Sequence, residues 1–342
     1  QGALSRRLAV ACVFALGFII SQQIMYYIFK VENKPQKDVD KLTTYMVMAT
    51  IIGSRLGHCL FYNPGYYLSN PIEILKIWEG GLASHGGAIG ILIAIWFFVR
   101  NLKGYTWLWM LDKLVIVVAL TGAMIRTGNL MNSVMEGTAT KSDYGLIYAR
   151  GTEDVLDFDS ERIASVTFEK GGKKQSQEAG KFPVTAKVTF ERGESFGSDQ
   201  DKRFVENNIR RSLLSYTEVV QHIDFGKDEP LSYEIIQEGG QAVLKIHGIG
   251  TARHPAQVYE ALYCLLFMVI LYWLWREKRN VLPEGFLFAL FMMMLWSARF
   301  VDEFFKMNQE DFEANLSLNM GQWLSIPMFL MGLGVMIYIY QI

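Results

Sequence analysis

The 342-residue chain is 51% hydrophobic and 13% aromatic, with 16 methionines and a mean hydropathy of +0.17, which places it among polytopic membrane proteins. Its formal net charge of −1 excludes the basic surface of a nucleic-acid binder. The cysteines, Cys12, Cys59 and Cys264, lie in apolar stretches at unrelated spacings, so neither a disulfide framework nor a metal site is expected, and no cofactor motif is present.

A helix needs about 20 apolar residues to cross a hydrocarbon core about 30 Å thick. By that measure the sequence predicts seven spans, near 8–29, 43–63, 83–100, 111–132, 256–275, 284–304 and 322–341. The first follows Arg6 and Arg7 as a signal peptide would, yet it continues through Met25 to Phe29 without a small-residue cleavage site and reads as a retained span. Basic residues mark the cytoplasmic loops: Lys30, Lys34, Lys37 and Lys41 after the first span, Arg100 and Lys103 after the third, and Arg276, Lys278 and Arg279 after the fifth. The N-terminus, the 64–82 loop, the 133–253 segment and the 305–321 loop then lie outside, with Arg6 and Arg7 against the trend.

Between Gly137 and Gly250 the composition turns polar over a stretch too long for a simple loop. Alternation at 164–168, 184–190, 232–236 and 242–247 predicts strands, with turns at Gly171-Gly172 and Gly239-Gly240, and the run from Asp199 to Leu214 predicts an amphipathic helix. The expected fold class is therefore an all-α polytopic membrane protein of seven transmembrane helices, with a small α+β extracytoplasmic head inserted between helices four and five. Its expected parts are membrane helices one to four over 1–136, the head over 137–252, and helices five to seven over 253–342.

Ionisable groups in hydrocarbon are costly, and their default reading is functional. Here Arg55, His85, Arg126 with Asn129 and Asn132, Arg253 with His254, and Arg299 with Glu303 are expected to gather toward the outer face, where they imply an anionic ligand. At 1.5 Å per residue Arg126 lies roughly 20 Å along the fourth span and Arg299 roughly 24 Å along the sixth. Arg126, Asn129 and Ser133 share one helical face beside Gly128, and Glu303 stands one turn from Arg299, placed to orient its guanidinium. His85 opens a run containing Gly86 and Gly87 that leaves space round the imidazole, as a ligand contact or general base would need. Pro255 marks a helix start with Gln257, Tyr259 and Glu260 in its first turns.

Together these stretches resemble the prolipoprotein diacylglyceryl transferase family. The resemblance is carried by Gly53-Ser-Arg-Leu-Gly-His-Cys-Leu-Phe-Tyr-Asn63, Trp78-Glu-Gly-Gly-Leu-Ala-Ser-His-Gly-Gly87, Arg126-Thr-Gly-Asn-Leu-Met-Asn132, Arg253-His-Pro-Ala-Gln-Val-Tyr-Glu260, Arg299-Phe-Val-Asp-Glu-Phe-Phe305 and Met320-Gly-Gln-Trp-Leu-Ser-Ile-Pro327, in the family's order. It implies a bacterial inner-membrane enzyme, its site toward the periplasmic leaflet, that moves a diacylglyceryl group from phosphatidylglycerol to the lipobox cysteine of a prolipoprotein signal peptide and releases glycerol phosphate. Its partners would be phosphatidylglycerol, such signal peptides and membrane lipids. The implied catalytic set is His85, Arg126, Arg299 and Glu303; Arg55, Gly86, Gly87, Gly128, Asn129, Asn132, Glu136, Arg253, His254, Gln257 and Tyr259 would line the substrate. The chain departs from the family pattern at Leu8-Ala-Val-Ala11, where a His-Trp-Tyr-Gly stretch is usual, at Val134, where the family has a glutamate, and at Leu295, where a tyrosine is common. Glu136 is the nearest acid to Val134. These departures keep open a catalytically silent, lipid-binding scaffold; a transporter is the remote alternative, since internal repeats are absent.

Overall fold

The computed structural model describes residues 2–159, 162–171, 178–191, 198–307 and 316–341. Helices α1 (Gly2–Val31), α2 (Lys37–Phe61), α3 (Ser84–Asn101) and α4 (Trp107–Met131) precede an α/β insertion. Three short helices of that insertion, α5 (Arg150–Asp159), α6 (Asp199–Phe204) and α7 (Arg210–Ser215), accompany strands β1 (Ile163–Lys170), β2 (Lys181–Phe190), β3 (Ile223–Asp224), β4 (Tyr233–Glu238) and β5 (Gln241–Thr251). Helices α8 (Ala256–Lys278), α9 (Phe286–Asp302) and α10 (Met320–Gln341) follow.

Each predicted span coincides with a helix. Four, Leu8–Val31 within α1, α4, α8 and α10, are long and apolar enough to cross a membrane by length and composition. The ends differ where polar turns extend an apolar run: α2 begins at Lys37 rather than 43, with Asp38 and Asp40 in its first turn, where carboxylates suit the helix dipole. Hydropathy alone does not register such turns.

The chain divides into two compact units, one made of Gln1–Val13, Ile125–Leu262 and Arg299–Gln322, the other of Phe14–Met124, Tyr263–Ala298 and Trp323–Ile342. In the second unit, Phe29, Phe98, Met110, Ile116 and Trp275 are fully buried. Helices α2 and α3 meet backbone to backbone, since a Cβ added to Gly86 would stand 2.6 Å from the Cα of Gly57. Close approach of this kind supplies the dispersion contacts that hold helices together in lipid, where apolar burial offers little preference. Asp112 of α4 accepts the backbone N–H groups of Gly285 and Phe288, each at 2.8 Å, and so caps the start of α9.

In the first unit the insertion forms an antiparallel sheet. Strand β5 pairs β2 on one edge and both β3 and β4 on the other, and β1 extends the sheet beyond β2. The β4–β5 hairpin turns on Gly239 (φ 60°) and Gly240 (φ 79°), the two left-handed residues that a tight hairpin matched to strand twist requires. Val184, Ala186 and Val188 of β2 and Leu244 and Ile246 of β5 form the core with Val205, Ile209 and Leu213. The expected 199–214 helix is present, but Val205–Ile209 is a π-helical segment, so α6 and α7 are separated by a widened turn. The sequence reading missed α5, whose period was there to be read, and the two-residue β3, which is too short to show one. Gly172 lies outside the described residues.

Candidate functional site

Helix α4 ends at Met131, so Ser133 does not continue the helical face of Arg126 and Asn129 as the spacing predicted. Ser133 (φ 48°) and Met135 (φ 60°) instead take left-handed backbone conformations, which cost a residue with a side chain about 1–2 kcal/mol each. The turn folds Met135 back onto the helix. Arg126 donates from Nη1 to the Met135 sulfur at 2.7 Å, and the Asn129 amide lies 3.6 Å from the same atom. A thioether is a weak acceptor, so this contact is one an oxyanion can replace with gain.

The other side of Arg126 faces acid. Its Nε lies 2.6 Å from Glu260 on α8, and Glu260 also receives the Lys306 ammonium at 2.5 Å. Lys306 lies 3.2 Å from Asp302 and 3.4 Å from Glu303, while Arg299 meets Glu303 at 3.2 Å. Asn319 adds its amide to Glu303 at 3.2 Å. Three cations and three carboxylates thus balance in a nearly closed cluster, with Lys306 at 3% exposure as its hub. Local spacing builds part of it: Asp302 at the end of α9 and Glu303 just past it stand four and three residues before Lys306, and a cation there also suits the helix dipole.

Around this cluster the remaining first-unit residues engage one another. Gln257 donates to the Val134 carbonyl and accepts the Tyr148 hydroxyl, both at 2.8 Å. Burial, aided by the Glu136 carboxylate, pushes the Tyr148 phenol up to about 12, so it stays a neutral donor under all ordinary conditions. Arg253 is buried and donates to the carbonyls of Gln221 at 2.8 Å and Gly137 at 3.3 Å and to the Met307 sulfur at 2.8 Å. Burial lowers its pKa from the usual guanidinium value, with Glu136 and Tyr148 acting in the opposite sense. His254 meets the Tyr259 hydroxyl at 3.2 Å and packs edge-on to Phe305. Asn132 is held by Arg150, whose Nη1 reaches both its carbonyl and its side-chain oxygen. Glu136 contacts the His222 imidazole. Gly128 is a buried position within α4.

A cavity of about 450 Å³ opens here, lined by Asn132, Glu136, Arg150, His222, Lys306 and Met307 among others. Its mixed charge and its border on Lys306 connect it to the arginine-bearing cluster.

Arg55, His85, Gly86 and Gly87 belong to the second unit. Arg55 is buried and spends its donors on backbone carbonyls, those of Glu73 (2.5 Å), Gly80 (2.6 Å), Ile74 (2.9 Å) and Gly81 (3.3 Å). In this position it pins the 73–81 loop. His85 is exposed and packs against the rings of Phe61 and Tyr62. Gly87 faces the Ser54 hydroxyl, where a Cβ would come within 2.6 Å, so both glycines serve helix contact as well as space round His85. Val10 is buried, Val134 is 43% exposed, and Leu295 packs against the second unit's apolar core.

Sequence reading placed the arginines but missed Glu260 as the counterion of Arg126 and Lys306 with Asp302 as members of the same cluster, and missed Met135, Met307 and His222 as contacts. The spacing of Asp302, Glu303 and Lys306 carried a signal. The Arg126–Glu260 and Glu136–His222 pairs join residues far apart in the chain and left none.

The family model described as prolipoprotein diacylglyceryl transferase matches residues 9–338. Among curated relatives, a phosphatidylglycerol–prolipoprotein diacylglyceryl transferase of Tolumonas auensis is 33% identical over 325 residues, covering 95% of this chain and 88% of the relative. Proteins of the same name from Chloroherpeton thalassium and Porphyromonas gingivalis are each 30% identical, covering 93% and 95% of this chain and 83% and 86% of the relatives.

Proposed function

The chain belongs to the prolipoprotein diacylglyceryl transferase family, and from that premise we propose that it moves the diacylglyceryl group of phosphatidylglycerol to the lipobox cysteine thiol of prolipoproteins, releasing glycerol phosphate. In this reading seven helices span a bacterial inner membrane, and the 137–252 insertion lies outside as a head between the fourth and fifth spans. The reaction surface faces the outer leaflet. The basic loops of the sequence and the apolar length of α1, α4, α8 and α10 support that arrangement.

The reaction dictates what a site must supply. A thiol loses its proton, sulfur forms a bond to the glyceryl carbon, and the bond from that carbon to the phosphate oxygen breaks, with its electron pair staying on the departing phosphate. A phosphodiester with one negative charge becomes a monoester with up to two. Cations at this phosphate therefore bind the transition state more tightly than the ground state, which is the condition for catalysis. Arg126 and Arg299 are the groups we assign to it, because each is oriented by a buried carboxylate, Glu260 and Glu303 respectively. That orientation is the observation that carries the reading: a guanidinium fixed on one side presents its fork on the other.

Asn129 joins Arg126 as a donor to phosphate, with Met135 yielding its place. Asn132, Glu136, Arg253, His254, Gln257 and Tyr259, with Gly128 leaving room beside them, line the substrate. His85 is the base that the sequence offers, with Gly86 and Gly87 leaving space about it and Arg55 fixing the loop before it. Val134 and the capped state of Arg126 favour one second reading, a silent scaffold that binds lipid without turnover.

Purified protein is given labelled phosphatidylglycerol and a lipobox-cysteine peptide. The transferase reading expects labelled peptide, with Arg126→Ala and Arg299→Ala each slower by roughly 10²–10³-fold, the size of effect seen when one transition-state donor is removed. A parent that binds phosphatidylglycerol but labels nothing establishes the scaffold instead.

A further inference from the structure

The insertion contributes one imidazole to the cavity beside the arginine-bearing cluster. His222 directs Nδ1 at the Glu218 carbonyl oxygen, 2.8 Å away, and Nε2 at the Glu136 carboxylate. A carbonyl only accepts, so Nδ1 carries a hydrogen and the tautomer is fixed; Nε2 is the site where a proton comes and goes. Both side chains remain about one-tenth exposed in the cavity wall, at 11% and 12%.

Position ties the pair to the chemistry. Glu136 directly follows Met135, whose sulfur lies on Arg126, and its carbonyl accepts the Met307 N–H at 3.3 Å, next to Lys306. The charged and titratable groups round the pair are Arg150, Asp154, Glu218 and Lys306 in the same cavity, Arg253 acting on Glu136 through space, and the Tyr148 ring 6.4 Å from the imidazole.

We propose that Glu136 and His222 together form the proton acceptor for the lipobox thiol, with the cavity they line admitting the cysteine. The proposal rests on the transferase reading and moves the base from His85 to a residue of the insertion. In the step, the proton-free pair takes the thiol's hydrogen on Nε2, with the Glu136 carboxylate as counter-charge. The S–H electron pair stays on sulfur, which bonds to the glyceryl carbon while the carbon–oxygen bond to phosphate breaks. The imidazolium returns its proton to water after product leaves.

The test compares two lipobox peptides, one with cysteine and one with selenocysteine, whose selenol is ionised at neutral pH and needs no base. Transfer is followed against pH for the parent, His222→Gln, Glu136→Gln and His85→Gln. The proposal expects His222→Gln to slow the cysteine peptide by about 10²-fold or more, in the usual range for a lost general base. Glu136→Gln should follow it on the cysteine peptide, the acid limb of the pH profile should flatten, and His222→Gln should modify the selenocysteine peptide at near the parent's rate. That last rate also certifies folding. Equal slowing on both peptides, an unchanged His222→Gln, or a cysteine-selective loss in His85→Gln instead would each overturn it. A parent that modifies neither peptide overturns the transferase reading itself, a separate outcome.

Discussion

Arg55 and Arg126 are both arginines within long helices, yet their surroundings differ in kind. Arg55 is closed in by four backbone carbonyls of one loop and contacts the face of Tyr67. Arg126 has a carboxylate on one side and a thioether on the other. The first arrangement consumes a guanidinium and builds a loop; the second holds a guanidinium ready for a better acceptor. A charge placed in an apolar helix is thus a reason to look for function, but what occupies its donors decides between fold and chemistry.

The comparison breaks most severely at Lys306. Replacing it with methionine leaves Glu260, Asp302 and Glu303 without their shared cation, and removing one partner from a buried charge cluster costs about 3–5 kcal/mol. Lys306→Met is expected to unfold the first unit at markedly lower temperature, read by thermal denaturation in detergent, and to lose activity with the fold. Arg55→Ala comes next: stranding its carbonyls costs about 1.5–3 kcal/mol for the charged hydrogen bonds it made. Arg55→Lys should recover little, because an ammonium cannot span carbonyls that a planar fork reaches. Gly86→Ala forces α2 and α3 apart and is expected to cost about 1–3 kcal/mol by overpacking, again as a lower unfolding temperature.

The smallest effect lies at Glu32, just past α1. Its carboxylate is partly buried, which raises its pKa, but hydrogen bonds from Trp275 at 2.7 Å and Trp109 at 3.2 Å and the Lys113 ammonium at 2.9 Å outweigh burial and hold it below the usual carboxylate value. A depressed folded-state pKa contributes stability that is present above the unfolded value near 4.5 and is lost as pH falls through the lower folded one. The parent's unfolding temperature should therefore drop on acidification below that value, and the drop should shrink in Glu32→Gln. An equal drop in both would remove Glu32 as its source.

Much of the fold was legible because its signals are local. The seven apolar runs mark seven helices, and the period of two at 184–190 and 242–247 marks the central strands β2 and β5. The ends of α4 and α2 were less so, since Ser133 and Met135 leave the helix through left-handed backbone and Lys37 to Leu42 form a polar first turn. The site divides the same way. Arg299, in the last turn of α9, and Glu303, just past its end, lie four residues apart and pair as their spacing said. The Glu260 that holds Arg126 and the His222 that meets Glu136 come from other elements, and only the tertiary fold brings them in.

The most direct measurement is the rate of diacylglyceryl transfer per folded molecule for Arg55→Ala and Arg126→Ala, each normalised by its folded fraction. The arginine–phosphate mechanism predicts that the folded molecules of Arg126→Ala transfer roughly 10²–10³-fold more slowly than the parent, and that Arg55→Ala loses unfolding temperature while its surviving folded molecules transfer at near the parent's rate. An Arg126→Ala protein that is folded and transfers as fast as the parent would contradict it.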